Sequence, residues 1–269
     1  MNHVNVVVCS SFSFLFRNTC LHVVSINQAR RFRFACSKDR YELSATLVDL
    51  DTTPVDTSNK QYHEIVISGW VCKCEVGLFD KDLDPNSVLF QVKTQLEIDL
   101  KTATEKIPPK ACEFLKKTIP IYINKIQYYG PKCAPIRGRG MCFHPDSCWL
   151  VENGMSEEKC GAIELYEASR YLDNHGLWYG KGGVIIHELA HAYHNKYCED
   201  GYENKDIMKC YNAAMKEKLY DNVKVHTDAE GGIDECKAYA TTDCMEYFAE
   251  LSVAFLGGTG DDKDVEYNK

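Results

Sequence analysis

Apolar residues return every three or four positions in several stretches of the chain, a pattern typical of helices with one buried face. The clearest stretch follows Asp84-Pro85, a pair typical of a helix start, and predicts an amphipathic helix over residues 86–105. The same spacing predicts three further helices, over residues 111–117, 207–219 and 243–256.

Apolar runs with the two-residue period of strands lie between these helices. They predict strands over residues 65–76, 119–123 and 162–166. Pro120 lacks a backbone N–H, so it places the second strand at a sheet edge or itself among that strand's first residues. Residues 130–160 are rich in Gly, Pro and Cys and predict a structured loop or a second short strand.

The apolar segment 183–197 contains the pattern H-E-x-x-H as His187, Glu188 and His191. On a helix, a four-residue step is about 400° and ~6 Å of rise, so both imidazoles stand on one face. Two such nitrogens can approach one Zn²⁺ at about 2.0–2.1 Å, and Glu188 can take a proton from water beside it. The alternative is a buried helix that carries these residues without metal; the motif and its apolar flanks favour zinc.

Two histidines leave a zinc ion short of ligands, so a third donor is expected. His194 lies on the same helical face but about 10 Å along the axis from His187, too far for easy convergence. The metzincin pattern requires Gly at position 194 and His at position 197, where this chain has His194 and Tyr197. His144 precedes a proline and has no partner at ligand spacing, which favours a structural or substrate-facing role.

The remaining candidate is Glu246 on the last predicted helix. Glu250 follows one turn later on the same face and can hold a ligating imidazole by its other N–H. The alternative for Glu246 is a capping box with Asp243, in which the glutamate bonds back to the helix start. The need for a third donor favours the ligand role.

The segment from Tyr239 to Glu250 resembles the stretch after H-E-x-x-H in the anthrax lethal factor catalytic domain, a gluzincin-type zinc metallopeptidase. The longer run from Gly140 through His194 is similar to secreted fungal conidiation-specific proteins thought to share that fold. The resemblance covers roughly residues 60–269. It implies that His187, His191 and Glu246 bind Zn²⁺. It also implies that Glu188 is the base, that Tyr239 donates to the oxyanion and that Glu250 lies behind the metal ligands.

The predicted fold is therefore of the α+β class, a zincin-like metallopeptidase with a mixed sheet lobe, an active-site helix and a helical C-terminal lobe. Residues 41–269 form the expected catalytic domain. Residues 1–40 are an N-terminal segment, either a signal segment or disordered, and their apolar part, residues 4–16, is too short to span a bilayer. We therefore expect no stable membrane insertion.

Composition and net charge indicate which class of partner the protein binds. With 45% hydrophobic and 26% charged residues, the chain is an ordinary globular protein. The formal net charge of −8 gives no basic face, which argues against nucleic acid. The expected partner is a peptide or protein substrate.

Fourteen cysteines are many for 269 residues. They are either buried thiols of a cytosolic protein or disulfides of a secreted one, and the number favours secretion. Cys198 with Cys210, and Cys236 with Cys244, could each close a short loop.

The expected activity is zinc-dependent hydrolysis of peptide bonds, in which Glu188 is the general base and Tyr239 either donates to the oxyanion or is a core tyrosine. An extended substrate is expected along the strand near residues 119–124. The alternatives are a secreted zinc-binding or toxin-like protein without turnover, and a zinc hydrolase with a non-peptide substrate.

Overall fold

The protein has the predicted α+β fold, built around a mixed sheet. A computed structural model describes residues 61–79, 82–126, 128–129, 134–135, 140–172, 182–226 and 233–256. The expected N-terminal boundary at residue 40 lies outside the described residues.

Nine strands and six α-helices lie in the described residues. The strands are β1 (Tyr62–Ile67), β2 (Trp70–Glu75), β3 (Ile121–Ile123), β4 (Tyr128–Tyr129), β5 (Ala134–Pro135), β6 (Met141–Phe143), β7 (Ile163–Leu165), β8 (Val223–His226) and β9 (Ile233–Cys236). The helices are α1 (Val88–Lys106), α2 (Pro109–Thr118), α3 (Ser147–Glu152), α4 (Gly183–Lys196), α5 (Lys205–Lys216) and α6 (Cys244–Leu256).

Five strands form the main sheet in the order β1-β2-β3-β7-β6. β3 lies parallel between β2 and β7, and β6 pairs antiparallel with β7. The predicted strand near residues 119–124 is therefore central and not at an edge. Pro120 stands just before β3, where it needs no ladder N–H, and its carbonyl accepts from Ile163 N at 3.0 Å. The idea that a substrate pairs with this strand is wrong.

The predicted single strand over residues 65–76 is a hairpin. Ser68 and Gly69 both have positive φ, 49° and 83°, and they form a two-residue turn between β1 and β2. Such a turn matches the twist of paired strands, so the chain reverses at the Ser-Gly pair.

One face of the sheet is apolar and carries the helices. Trp70, Ile121 and Ile163 are fully buried there against α1 and α4. Side chains alternate along a strand, so their neighbours Tyr122 and Glu164 lie on the opposite face. A second apolar cluster joins α5 to α6 in the C-terminal part of the chain. The core thus holds α4 between the sheet and α6.

The four helices predicted from periodicity are confirmed with small shifts at their ends. The first begins at Val88 and not at residue 86, because Ser87 caps it: its hydroxyl accepts from Phe90 N at 3.2 Å. None of the helices within the described ranges is both long and apolar enough to cross a membrane.

No disulfide joins any of the ten cysteines of the described residues. The predicted pairs Cys198–Cys210 and Cys236–Cys244 are therefore not formed in this structure. Cys72 and Cys74 are fully buried on β2, where they pack as small apolar side chains. Burial raises the pKa of Cys74 to about 12, which keeps this thiol protonated.

Candidate metal centre

Helix α4 brings two imidazoles together near its middle. His187 Nε2 and His191 Nε2 are 3.0 Å apart, and both side chains are largely buried. The helix starts after Gly182, whose φ of 83° favours glycine. A Cβ on Gly182 would lie 3.0 Å from the carbonyl oxygen of Asp99 on α1, so this glycine also permits the close approach of the two helices.

Helix α6 packs along α4 and presents Glu246 to the two histidines. Glu246 Oε2 lies 3.1 Å from His187 Nε2 and 3.2 Å from His191 Nε2. Asp243 caps this helix, because its Oδ1 accepts from the backbone amides of Met245 and Glu246 at 2.8 and 2.9 Å. The Asp243 half of the capping box therefore exists, while the Glu246 carboxylate points to the imidazoles.

These three residues are the one convergent group of three metal-ligating side chains among the described residues. Ligands held at about 2.0–2.1 Å in a tetrahedron around zinc stand about 3.3–3.4 Å apart, close to the observed 3.0–3.2 Å. Glu246 Oε2 is buried and has no hydrogen-bond partner. Two imidazole nitrogens and a carboxylate oxygen suit Zn²⁺, so the arrangement fits this ion.

The charge state of Glu246 also suits a ligand. Burial raises the pKa of Glu246, but the close contacts with His187 and His191 outweigh burial. The pKa of this carboxyl is therefore well below its ordinary value. Glu246 is an anion throughout the neutral range.

Glu250 lies behind His187, one turn along α6 from Glu246. Its Oε1 is 2.9 Å from His187 Nδ1, and its side chain is fully buried. When His187 donates its Nδ1–H to this carboxylate, the lone pair of Nε2 points into the cluster. Glu250 thus orients the imidazole and sets its tautomer.

Glu188 stands beside the cluster without joining it. Its Oε2 accepts from the backbone amide of Phe143 on β6 at 2.8 Å. Burial raises the pKa of Glu188 to about 7; the charge of Glu246 acts in the same direction, whereas His191 and the Phe143 amide lower it. This carboxylate is therefore poised to exchange a proton near neutral pH.

Tyr239 lies in a short 3₁₀ helix, Tyr239–Thr241, just before α6. Its hydroxyl donates to Glu246 Oε1 at 3.0 Å, and its ring stacks on His187 with 6.4 Å between centroids. The structure thus places this phenol at the rim of the cluster. It can hold Glu246 in place, donate to a substrate oxygen, or do both in turn.

The two other candidate histidines lie elsewhere. His194 is fully buried, neither of its ring nitrogens has a hydrogen-bond partner, and its ring contacts Tyr202 and Phe248. His144 is also buried, and its Nε2 lies 2.7 Å from Glu164 Oε2 on the far face of the sheet. Neither residue joins the group of His187, His191 and Glu246.

Two features of the site had no signal in the sequence. One is the Phe143 amide that holds Glu188, since backbone contacts between distant segments leave no residue pattern. The other is Tyr202, whose pKa is raised by burial and by the negative charges of Glu188 and Glu246. The Tyr202 phenol therefore lies within electrostatic range of both carboxylates.

Comparison with known proteins identifies no relative of this chain. No family model matches the chain. No curated protein and no solved structure is significantly similar to it.

Proposed function

We propose that the protein is a zinc-dependent metallopeptidase that hydrolyses peptide bonds. One observation carries the proposal: the donor atoms of His187, His191 and Glu246 lie 3.0–3.2 Å from one another, with Glu188 beside them. Zinc would be held by these three residues, and when bound it polarises the scissile carbonyl and acidifies water.

The arrangement of elements supports a zincin-like fold for this site. A mixed sheet packs on α4, which carries H-E-x-x-H, and α6 delivers the third donor from the C-terminal part of the chain. The antiparallel edge strand β6 runs beside α4, which its Phe143 amide contacts through Glu188. Fold alone does not fix function, so the proposal depends on the site.

Glu188 is the general base in this scheme. The Phe143 amide holds Oε2, which leaves Oε1 to take a proton from the attacking water and to pass it to the leaving amine. With a cation on the neighbouring ligands, the pKa of Glu188 would fall below its value of about 7 and the base would stay ionised at neutral pH.

Tyr239 is the proposed donor to the oxyanion of the tetrahedral intermediate. Its hydroxyl already lies at the rim of the cluster, 3.0 Å from Glu246 Oε1. A small rotation of the phenol would transfer this hydrogen bond from Glu246 to the substrate. One donor of this kind contributes about 3 kcal/mol to transition-state stabilisation when it is well placed.

The substrate is proposed to pair with β6. Within the described residues, β6 is an edge strand, joined to β7 on one side only. His144 N and O face β7, so the backbone groups of Met141 and Phe143 face outward. The Phe143 amide holds Glu188, so a peptide would pair through Met141 and the Phe143 carbonyl. An extended peptide added there would pass directly over Glu188.

The variant Glu188→Gln tests the proposal. It keeps the shape of the side chain and the bond from the Phe143 amide but removes the proton acceptor. We expect zinc content equal to that of the wild type and hydrolysis of an unstructured protein substrate reduced by about 10²-fold or more.

The matched control is Glu105→Gln, at an exposed position on α1, which should change neither quantity. Peptide hydrolysis by Glu188→Gln at the wild-type rate would contradict the proposed function. Loss of zinc from Glu188→Gln would contradict the placement of Glu188 outside the ligand set.

A further inference from the structure

A second cluster of reactive side chains lies on the far face of the sheet, away from α4. Cys142 on β6 is partly exposed, and its Sγ lies 2.7 Å from the Tyr166 hydroxyl and 3.4 Å from His144 Nε2. His144 in turn lies 2.7 Å from Glu164 Oε2. A nucleophile, a base and a group that orients the base therefore stand in contact.

The groups behind the thiol are deeply buried and fixed. His144 and Glu164 are 1% and 2% exposed. The Glu164 carboxylate is held by Lys159, which forms an ion pair with it, and by Asn124 Nδ2 at 2.6 Å. Burial raises the pKa of Glu164, but its bonds to His144 and Lys159 outweigh this and hold it at about 2.

We propose that Cys142 is an activated thiol and a modification site for hydroperoxides. With its Nε2 facing Glu164, His144 leaves Nδ1, 3.6 Å from Sγ, to take the thiol proton, and this ring and the Tyr166 hydroxyl can then donate to the thiolate. Cys148 and Cys160 are more exposed, but within the described residues neither thiol is hydrogen-bonded to an imidazole; Cys160 Sγ bonds the Pro145 carbonyl instead.

The reaction balances without a cofactor. The Cys142 thiolate attacks one oxygen of the hydroperoxide and the O–O bond breaks. The sulfur is oxidised by two electrons to sulfenic acid, and the other oxygen leaves as hydroxide or alkoxide, which takes a proton from solvent.

Position gives the modification a consequence for the neighbouring site. Cys142 directly precedes Phe143, whose amide holds Glu188. With Tyr166 only 2.7 Å from Sγ, an added oxygen has to displace either the phenol or the strand. We expect the displacement of β6 to loosen the bond to Glu188; this part of the inference depends on the proposed function.

The test is labelling of the intact full-length chain. The wild type is treated with hydrogen peroxide, sulfenic acid is trapped with dimedone, and each cysteine is followed by peptide mass mapping. We expect Cys142 to be trapped about tenfold faster than Cys148 and Cys160. A rate at Cys142 equal to or below those of Cys148 and Cys160 would overturn the assignment, whether or not the protein is a peptidase.

Two variants show whether the neighbours activate the thiol. Tyr166→Phe and His144→Asn should each slow trapping at Cys142 several-fold and leave Cys160 unchanged. Because the unmodified wild type already gives the decisive comparison, poor folding of either variant does not remove the test. Trapping at Cys142 that stays at the wild-type rate in both folded variants would show that the thiol is not activated by them.

Hydrolysis is measured separately, before and after peroxide treatment. Cys142→Ser should retain activity and lose most of its sensitivity to peroxide. If Cys142 is rapidly trapped while hydrolysis is unaffected, the link through Phe143 is wrong.

Discussion

At the scale of single residues, the site depends on pairs of side chains with divided tasks. Glu246 and Glu250 lie one turn apart on α6, yet one faces both imidazole Nε2 atoms and the other only His187 Nδ1. This division follows from the four-residue spacing. The contact of Glu246 with the histidines of α4 depended on how two distant helices pack, which spacing alone cannot give.

The variant Glu250→Gln should weaken metal binding. The amide that replaces the carboxylate carries no charge, so it accepts the Nδ1–H of His187 more weakly. The imidazole then becomes a poorer and less oriented ligand. We expect about 10–100-fold lower zinc affinity, measured by competition with a chelator. Wild-type affinity in a folded variant would mean that Glu250 only fills space.

Tyr239→Phe separates the two roles of the phenol. If the hydroxyl mainly stabilises the oxyanion, kcat falls by about 10²–10³-fold while KM and zinc affinity stay unchanged. If it mainly orients Glu246, zinc affinity falls instead. We expect the first pattern, and unchanged kinetics would place Tyr239 among the core tyrosines.

At the scale of elements, local sequence patterns predicted the helices correctly but did not predict how the strands pair. The helices over residues 86–105 and 243–256 were predictable because apolar periodicity and capping residues are local signals. The hairpin at Ser68-Gly69 was missed because both halves continue one apolar alternation. The central position of β3 was missed because Pro120 only marks the strand's start, and no local signal identifies neighbouring strands.

His194 is buried where α4 contacts α6, and its ring nitrogens have no hydrogen-bond partners there. This predicts that the stability of the protein depends on pH. Burial lowers the pKa of His194 to about 4. The unfolded chain, with an ordinary histidine, binds a proton first as the pH falls. The free energy of unfolding is therefore undiminished by this histidine above about pH 6.5. It falls between pH 6.5 and 4, by at most about 3 kcal/mol.

Urea unfolding of metal-free protein at pH 7 and pH 4.5 tests this point. His194→Phe keeps a ring against Phe248 and Tyr202 but cannot take up a proton. The variant should lose less stability on acidification than the wild type. Equal losses would show that His194 is not the titrating group.

At the scale of the whole molecule, cysteine content was the weakest guide. Fourteen cysteines predicted disulfides, yet none of the ten in the described residues is in a disulfide, and several pack in the core. A count cannot distinguish a bonded cysteine from a buried apolar one, because geometry decides both. Secretion remains a prediction that the fold does not address.

The order of elements also explains why one short motif located the site. The apolar flanks of H-E-x-x-H bury α4 between the sheet and α6, so His187 and His191 necessarily stand where other elements converge. The motif was enough to single out the two imidazoles that lie together and the Glu188 carboxylate beside them. Glu246 was predicted as the third donor because two histidines leave a zinc ion short of ligands and Glu250 follows one turn later; the resemblance to known peptidases implied the same residue.

The most direct test of the central claim is the zinc content of purified protein after reloading and removal of excess metal. The wild type should hold about one zinc ion per chain, and His191→Ala and Glu246→Ala should hold none. His63→Ala, a histidine on β1 outside the cluster, should match the wild type. Absence of bound zinc in the wild type, or equal zinc in all four proteins, would contradict the account.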